Sequence, residues 1–273
     1  MAAKRIRLDA ELVRRKICGS RERARDLIAG GRVIVNGVVA TKPATQVEPT
    51  TSIAITETDE PDWASRGAHK LIGALEAFPD VAVSGARCLD AGASTGGFTD
   101  VLLSRGATRV EAVDVGYGQL VWRLRSDDRV GVHDKTNVRS LTPDDIGGPV
   151  DLVVSDLSFI SLALVLPALA ACVRPGGDVL PMVKPQFEVG RERVGQGGVV
   201  RDPGLRIESV TGVAYAAAAQ GLETRGCVAS PLPGPSGNVE YFLHLREAGA
   251  GQPVEVSDTA QHAIRTAVEE GPQ

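Results

Sequence analysis

The chain has 273 residues, 43% apolar and 23% charged, enough for one substantial core plus a small module. No run of about 18 apolar residues exists and the charged N-terminus lacks the apolar stretch of a secretory signal, so the expectation is a cytoplasmic protein without a membrane span. The net charge of −4 is lopsided: residues 1–32 hold ten Lys/Arg against four acids, a net +6, which leaves −10 for the rest.

A basic head on an acidic body points to a polyanion partner, the bland alternative being a solvated helical face. Asp9 to Lys16 and Ser20 to Ala29 read as two short helices, with Asp9 and Ser20 as N-caps and Gly30-Gly31 as the stop. Arg32 to Val39 carries β-branched runs around Asn36-Gly37, which predicts a hairpin with a type I′ turn. A third strand over Ser52 to Thr56 completes the module. Residues 57–65 are acidic, contain Pro61 and read as a linker, with Trp63 either packing at the domain junction or acting as a local anchor. Leu71, Leu75 and Phe78 then mark a helix.

From residue 86 strands and helices alternate, as in a mostly parallel α/β sheet. Strands are predicted at 86–91, 109–114, 129–133, 150–156, 177–184, 224–230 and 238–245. Helices are predicted at 96–105, 161–173 and 204–220, with a final one near 257–269. The turn-rich run Pro231 to Gly237 is too short for a crossover, so the last two strands should be antiparallel. Cys18, Cys88, Cys172 and Cys227 have no metal or redox spacing and read as core residues of a reduced protein. No metal is expected.

The most informative stretch is Asp90-Ala91-Gly92-Ala93-Ser94-Thr95-Gly96-Gly97-Phe98, between a strand-like and a helix-like run. In that geometry backbone N–H groups approach a nucleotide-like ligand closely. Dinucleotide sites usually have an apolar residue where Asp90 stands and glycine where Ser94 stands. Asp114, 24 residues on, ends the next strand-like run and is placed to accept from ribose hydroxyls. Together these favour S-adenosylmethionine over NAD. Val115 joins the candidate cofactor set. Phe159 is read either as an adenine contact or as core.

Ligands in open α/β sheets sit beyond the carboxyl ends of the strands. Asp156 and Lys184 end two predicted strands, Glu240 lies near the start of the last, and Lys70 sits on the helix that opens the domain. Lys70, Asp156, Lys184 and Glu240 resemble the ordered Lys-Asp-Lys-Glu tetrad of the FtsJ-like RNA 2′-O-methyltransferases. Residues 4–58 resemble the αL RNA-binding motif of a small-subunit ribosomal protein, pseudouridine synthases and some aminoacyl-tRNA synthetases. Taken together, residues 4–270 resemble the TlyA family of ribosomal RNA cytidine-2′-O-methyltransferases, sometimes labelled haemolysins. The linker departs from that family's Arg-x-Trp-Val element, having Pro61-Asp62-Trp63-Ala64.

The resemblance implies a class I, Rossmann-like methyltransferase with a seven-stranded, mostly parallel sheet behind a small α+β head. It divides the chain into an RNA-binding domain at 1–59, a linker at 60–65, a methyltransferase domain at 66–246 and a tail at 247–273. It also implies S-adenosyl-L-methionine as cofactor. The implied targets are the decoding-centre helix of the small-subunit rRNA and an intersubunit-bridge helix of the large-subunit rRNA, with the head contacting phosphates. Candidate phosphate contacts are Lys4, Arg5, Arg7, Arg14, Arg15, Arg21, Arg23, Arg32, Lys42 and Arg66. A monomer suffices for this scheme.

A ribose 2′-hydroxyl is a poor nucleophile until its proton is removed or shared, and methyl transfer needs an in-line approach. Lys184 is read as the base or hydroxyl-orienting residue and Lys70 as its like-charged neighbour. A lysine base must lose its proton from about 10.4, which burial and a second ammonium favour but Asp156 and Glu240 oppose. His69 is read as packing or RNA contact, His133 as a strand end, and Tyr117 and Trp122 as helix-face packing. Three other readings stand beside the preferred one: a non-catalytic ribosome-assembly protein, a membrane-active haemolysin and an NAD dehydrogenase.

Overall fold

The computed structural model describes residues 5–19, 21–56, 61–249 and 253–272, which fall into two units, one ending at Arg66 and the other starting at Gly67. Lys4, the cap expected at Ser20, linker residues 57–60 and residues 250–252 of the Gly-rich joint lie outside the described residues.

In the N-terminal unit a two-residue strand β1 (Ile6–Arg7) leads into α1 (Leu8–Arg14) and α2 (Arg21–Ala29). The hairpin forms as predicted. β2 (Val33–Val35) and β3 (Val38–Val39) pair antiparallel across Asn36 and Gly37, whose φ values of 49° and 82° are those of a type I′ turn. A short strand β4 (Gln46–Val47), not foreseen, pairs with β1. The expected third strand, β5 (Ile53–Ile55), flanks β2. Leu8, Leu12, Ala24, Leu27, Ile28, Val33 and Val47, from both helices and from β2 and β4, form a single small core.

Asp9 is not the cap of the first helix. The helix starts one residue earlier, with Arg7 at the N-cap position. Asp9 instead lies fully buried beneath three arginines, with Nη2 of Arg7 and of Arg21 at 3.0 and 2.9 Å and Nε of Arg25 at 3.5 Å. Hydrogen bonding to Arg7, in the face of burial, holds its carboxyl far below the usual carboxylate range. Glu11, two residues on, plays the same part for Arg14 and Arg15.

The C-terminal unit opens with α3 (Gly67–Ala77). Parallel strands β6 (Arg87–Ala91), β7 (Arg109–Val113), β8 (Val130–His133), β9 (Val150–Ser155) and β10 (Val173–Val183) follow, then β11 (Leu222–Ala229) and β12 (Tyr241–Glu247). Their spatial order is β11-β12-β10-β9-β6-β7-β8, and β12 runs antiparallel to both its neighbours. The predicted antiparallel pair is therefore present, with the final strand inserted inside the sheet. Helices α4 (Gly97–Ser104), α5 (Trp122–Arg125), α6 (Leu166–Cys172), α7 (Pro185–Glu188) and α8 (Pro203–Ala218) fill the connections, and α9 (Asp258–Glu269) follows β12. The helix expected over 161–173 is split: a 3₁₀ turn at Leu162–Leu164 precedes α6, with Pro167 in the first turn of α6, where its missing N–H costs nothing. Side chains of Asp202 and Ser257 accept backbone N–H bonds that cap α8 and α9. Val153, Val179, Val183, Leu243 and Leu245 from adjacent strands bury against α6 and α8 in one core.

Candidate active site

Everything chemical collects where the parallel strands end. Asp90 is the penultimate residue of β6 and is fully buried. Its Oδ2 accepts from the Thr99 hydroxyl at 2.7 Å, while its buried Oδ1 has no donor among the described residues. Burial pushes its carboxyl up to about 7, even though Thr99 pulls the other way. A buried carboxylate oxygen without a donor, at the mouth of a glycine turn, suits a cationic group of a ligand.

The turn that follows is held open by backbone conformation. Gly92 has φ 95°, and a Cβ there would lie 2.8 Å from the Asp156 carbonyl oxygen. Gly96 has φ 101° and sits at the start of α4, packed under Leu120 and Leu124. Ser94 occupies the left-handed region at φ 47° where dinucleotide sites have glycine. The Ala93 N–H donates to Val113, the Thr95 carbonyl accepts from Val121, and Gly97 is the first residue of α4. Phe98 is 4% exposed and its ring lies 6.0 Å from that of Phe242, so it faces the core.

Asp114 follows β7 and ties the loops together. Its Oδ2 accepts from the Ser94 N–H at 2.8 Å and its Oδ1 from the Gly116 N–H at 2.7 Å. A carboxylate oxygen has two lone pairs, so each retains acceptor capacity for a hydroxyl. Val115 beside it is 75% exposed. Asp134, just past β8, accepts from the Gly118 N–H at 3.3 Å and pairs with Arg125 at 2.8 Å. It was missed in the sequence, although the logic that marks Asp90 and Asp114, an acid at a strand end, marks it too.

The four tetrad residues come together as two ion pairs. Lys70 Nζ lies 2.6 Å from Glu240 Oε2, with both side chains almost wholly buried, and 3.9 Å from Met182 Sδ at the end of β10. Lys184 Nζ lies 2.5 Å from Asp156 Oδ1 and donates to Ser158 Oγ at 2.9 Å. The pairs are neighbours because Val183 is in register with Tyr241, which sets Lys184 beside Glu240 across β10 and β12. The reversed direction of β12 brings an acid preceding that strand to the carboxyl ends of the others. Glu240 Oε1 is buried without a donor among the described residues, under Gly234 of the 231–237 loop.

A clamp that sequence reasoning missed steadies this edge. Glu188, at the end of α7, accepts from the Ser161 hydroxyl at 2.6 Å and the Leu162 N–H at 2.9 Å. It thereby fastens the loop carrying Asp156 and Ser158 to the segment carrying Lys184. Burial raises its carboxyl above the usual range. No local pattern announces such a contact, since its partners lie 26 and 27 residues away.

Three aromatic expectations need correction. Tyr117 and Trp122 do not pack on a helix face: they are 70% and 78% exposed, Tyr117 in a loop with Lys135 Nζ 4.7 Å from its ring centroid. Phe159 is not core. It is 91% exposed, at φ 64°, with its ring 5.2 Å from that of Phe187. His133 does end a strand, where its Nε2 lies 2.8 Å from Glu111.

In the N-terminal unit the candidate phosphate contacts are largely engaged already. Arg7, Arg14, Arg15 and Arg21 are paired with Asp9 or Glu11, yet Arg7, Arg14 and Arg21 keep about half their side-chain surface exposed. Arg15 is turned inward to carbonyls of Glu48, Pro49 and Thr51. Arg5 lies 3.6 Å from Glu48, Arg66 lies 3.7 Å from Asp26, and Lys42 is exposed. Arg23 and Arg32 both approach Asp62. The buried acids thus fix the guanidiniums in place without hiding most of them.

Among the described residues no helix is long and apolar enough to cross a membrane, and no group of His, Cys, Asp or Glu is placed to hold a metal ion. The FtsJ-like methyltransferase family matches residues 63–247 and the S4 domain matches residues 6–53. The 16S/23S rRNA (cytidine-2′-O)-methyltransferase TlyA of Mycobacterium tuberculosis is 58% identical, over 99% of this chain and 100% of that protein. Hemolysin A of Brachyspira hyodysenteriae is 35% identical over 88% of this chain and 99% of its own. A solved structure of a hemolysin-named protein from Streptococcus thermophilus superposes with a TM-score of 0.75, at 37% identity and 98% coverage of both chains. With the tetrad, the glycine turn and the S4 domain all in one polypeptide, the chain belongs to the FtsJ-like methyltransferases and, within them, to the TlyA family.

Proposed function

We propose that this protein transfers a methyl group from S-adenosyl-L-methionine to the ribose 2′-oxygen of cytidine in the ribosomal RNA of both subunits, acting in the cytoplasm. The observation that carries the reading is the meeting of two lysine–carboxylate pairs at the sheet edge beside the glycine turn. When bound, the cofactor supplies an electrophilic methyl carbon on a sulfonium. Asp90, through its unpaired Oδ1, and the backbone of Gly92 to Gly97 would hold its cationic part, and Asp114 its ribose hydroxyls.

Each lysine rests on its own carboxylate. Lys184 is cast as the group that orients the 2′-hydroxyl: as the hydroxyl proton leaves, Lys184 passes one of its own protons to Asp156 and takes up the departing one in its place. Ser158 limits the swing of the Lys184 amine. Lys70, locked on Glu240, keeps a second positive charge nearby and leaves Glu240 Oε1 as an acceptor. The exposed rings of Tyr117, Trp122 and Phe159 offer stacking faces for a base drawn out of its helix.

Purified small and large ribosomal subunits incubated with the protein and labelled S-adenosyl-L-methionine should gain label at cytidine 2′-oxygens, located by mapping blocked hydroxyls. Lys184→Ala should abolish it. Label on a base or on protein, with none on ribose, would refute the reading.

A further inference from the structure

α3 brings Lys70 to the active site, and three residues further along the same face it touches the 231–237 loop at Gly73. A Cβ at Gly73 would stand 2.8 and 2.9 Å from Cγ and Cδ of Pro231, about 1 Å closer than carbon atoms pack. Glycine in the middle of a helix has no local benefit. Its use here is to let the loop come close. The helix is anchored against retreat. Just past the end of α3, the Phe78 ring lies 5.2 Å from that of His244 on β12. The same ring packs over Gly226 of β11, where a Cβ would be 2.8 Å from Phe78 Cε1. The loop, in turn, is tied to the catalytic acid. The Ser230 N–H donates to the Glu240 carbonyl at 2.8 Å, and the Gly234 N–H to the Asn238 carbonyl at 2.9 Å.

We propose that Gly73 is a positioning residue for methyl transfer: by seating the 231–237 loop on α3, it sets the reach between Lys70 and Glu240. The proposal rests on the function given above and adds how one of the two lysine–carboxylate pairs acquires its geometry. A side chain at position 73 would push Pro231 outward by about 1 Å. Pro231 follows Ser230, whose bond to the Glu240 backbone would pass that shift to the 2.6 Å contact between Glu240 Oε2 and Lys70 Nζ. Were Gly73 only a poor helix former, alanine in its place would be neutral or stabilising.

The two cases differ in sign, and full-length protein assayed on ribosomal subunits separates them. Gly73→Ala should lower kcat for ribose methylation about 10- to 100-fold, the cost of a misplacement of about 1 Å. Affinity for S-adenosyl-L-methionine, read by calorimetry, should stay within about twofold of wild type, because only the transfer step is disturbed. The melting temperature should fall rather than rise. Pro231→Ala removes the two clashing atoms and leaves its Cβ 3.7 Å from the added methyl, an ordinary contact. In a Pro231→Ala background, Gly73→Ala should therefore change kcat by no more than about twofold, as for uncoupled sites, and should no longer lower the melting temperature. Full kcat in Gly73→Ala overturns the proposal, and so does a fall in donor affinity that matches the fall in rate. A loss that Pro231→Ala does not relieve also overturns it, whether the double variant is folded and slow or fails to fold. If the wild-type protein transfers no methyl to ribose, the function itself fails. If wild type is active and any of those three results appears, only the role of Gly73 fails.

Discussion

Asp90→Asn is expected to make the protein more stable at pH 8 and much poorer at holding the methyl donor. Burial raises the Asp90 carboxyl from its ordinary 3.8 to about 7. Near pH 4 and below, folded and unfolded chains both carry the proton and no penalty arises. As pH climbs from there towards 7 the unfolded chain sheds its proton first, so stability falls, and above 7 the loss levels off. The gap between 3.8 and about 7 corresponds to about 4 kcal/mol at 1.36 kcal/mol per pH unit, an upper limit because the surroundings relax. Asparagine keeps an acceptor for Thr99 but does not titrate. The variant should therefore gain about 2–4 kcal/mol at pH 8 and almost nothing near pH 4, measured by urea unfolding at both. Its affinity for S-adenosyl-L-methionine should drop about 10- to 100-fold, the worth of a hydrogen bond to a charged group. Wild-type affinity, read by calorimetry, should rise with pH until Asp90 is ionised. A variant less stable than wild type at pH 8, or one that binds the donor equally well, refutes the reasoning.

Glu240→Ala strands a buried ammonium, so about 3–5 kcal/mol of stability should be lost. Lys70→Met with Glu240→Leu should recover most of that in denaturant unfolding while methylation stays absent. Glu188→Ala frees the loop that carries Asp156, and a misplacement of about 1 Å lowers rate by up to about 100-fold. Steady-state kinetics should show kcat falling by tenfold or more with donor affinity within about twofold of wild type. Burial pushes Glu111 up, but bonds from His133 and Arg109 outweigh it and bring its carboxyl down to about 2. The stability it provides is present above about pH 4.5 and lost as pH falls towards 2. Glu111→Gln should accordingly unfold more easily at neutral pH and show a shallower decline in acid.

Much of this architecture was legible because local pattern and tertiary need agree. Strand ends at Ala91, Val113 and Ser155 follow from largely apolar runs, β-branched in the last two, broken by an acid or glycine. The Asn36-Gly37 turn follows from the positive φ that both residues tolerate. What stayed hidden depends on contacts between distant segments. Asp9 looks like a cap because it precedes a helical run, and only the fold reveals three arginines closing over it. Tyr117, Trp122 and Phe159 look like core because they are aromatic, and hydrophobicity alone cannot tell a ring that stabilises the fold from one left on the surface. Glu188 carries no signal, since its partners belong to another loop.

The reversed strand β12 has a consequence for the order of synthesis. The edge strand β11 leaves the ribosome before the strand that separates it from β10, so the sheet has a gap until the last of its strands is made. Glu240, the partner of Lys70, arrives with that late strand. A nascent chain that already holds the whole glycine turn and both lysines thus still lacks the carboxylate on which Lys70 comes to rest.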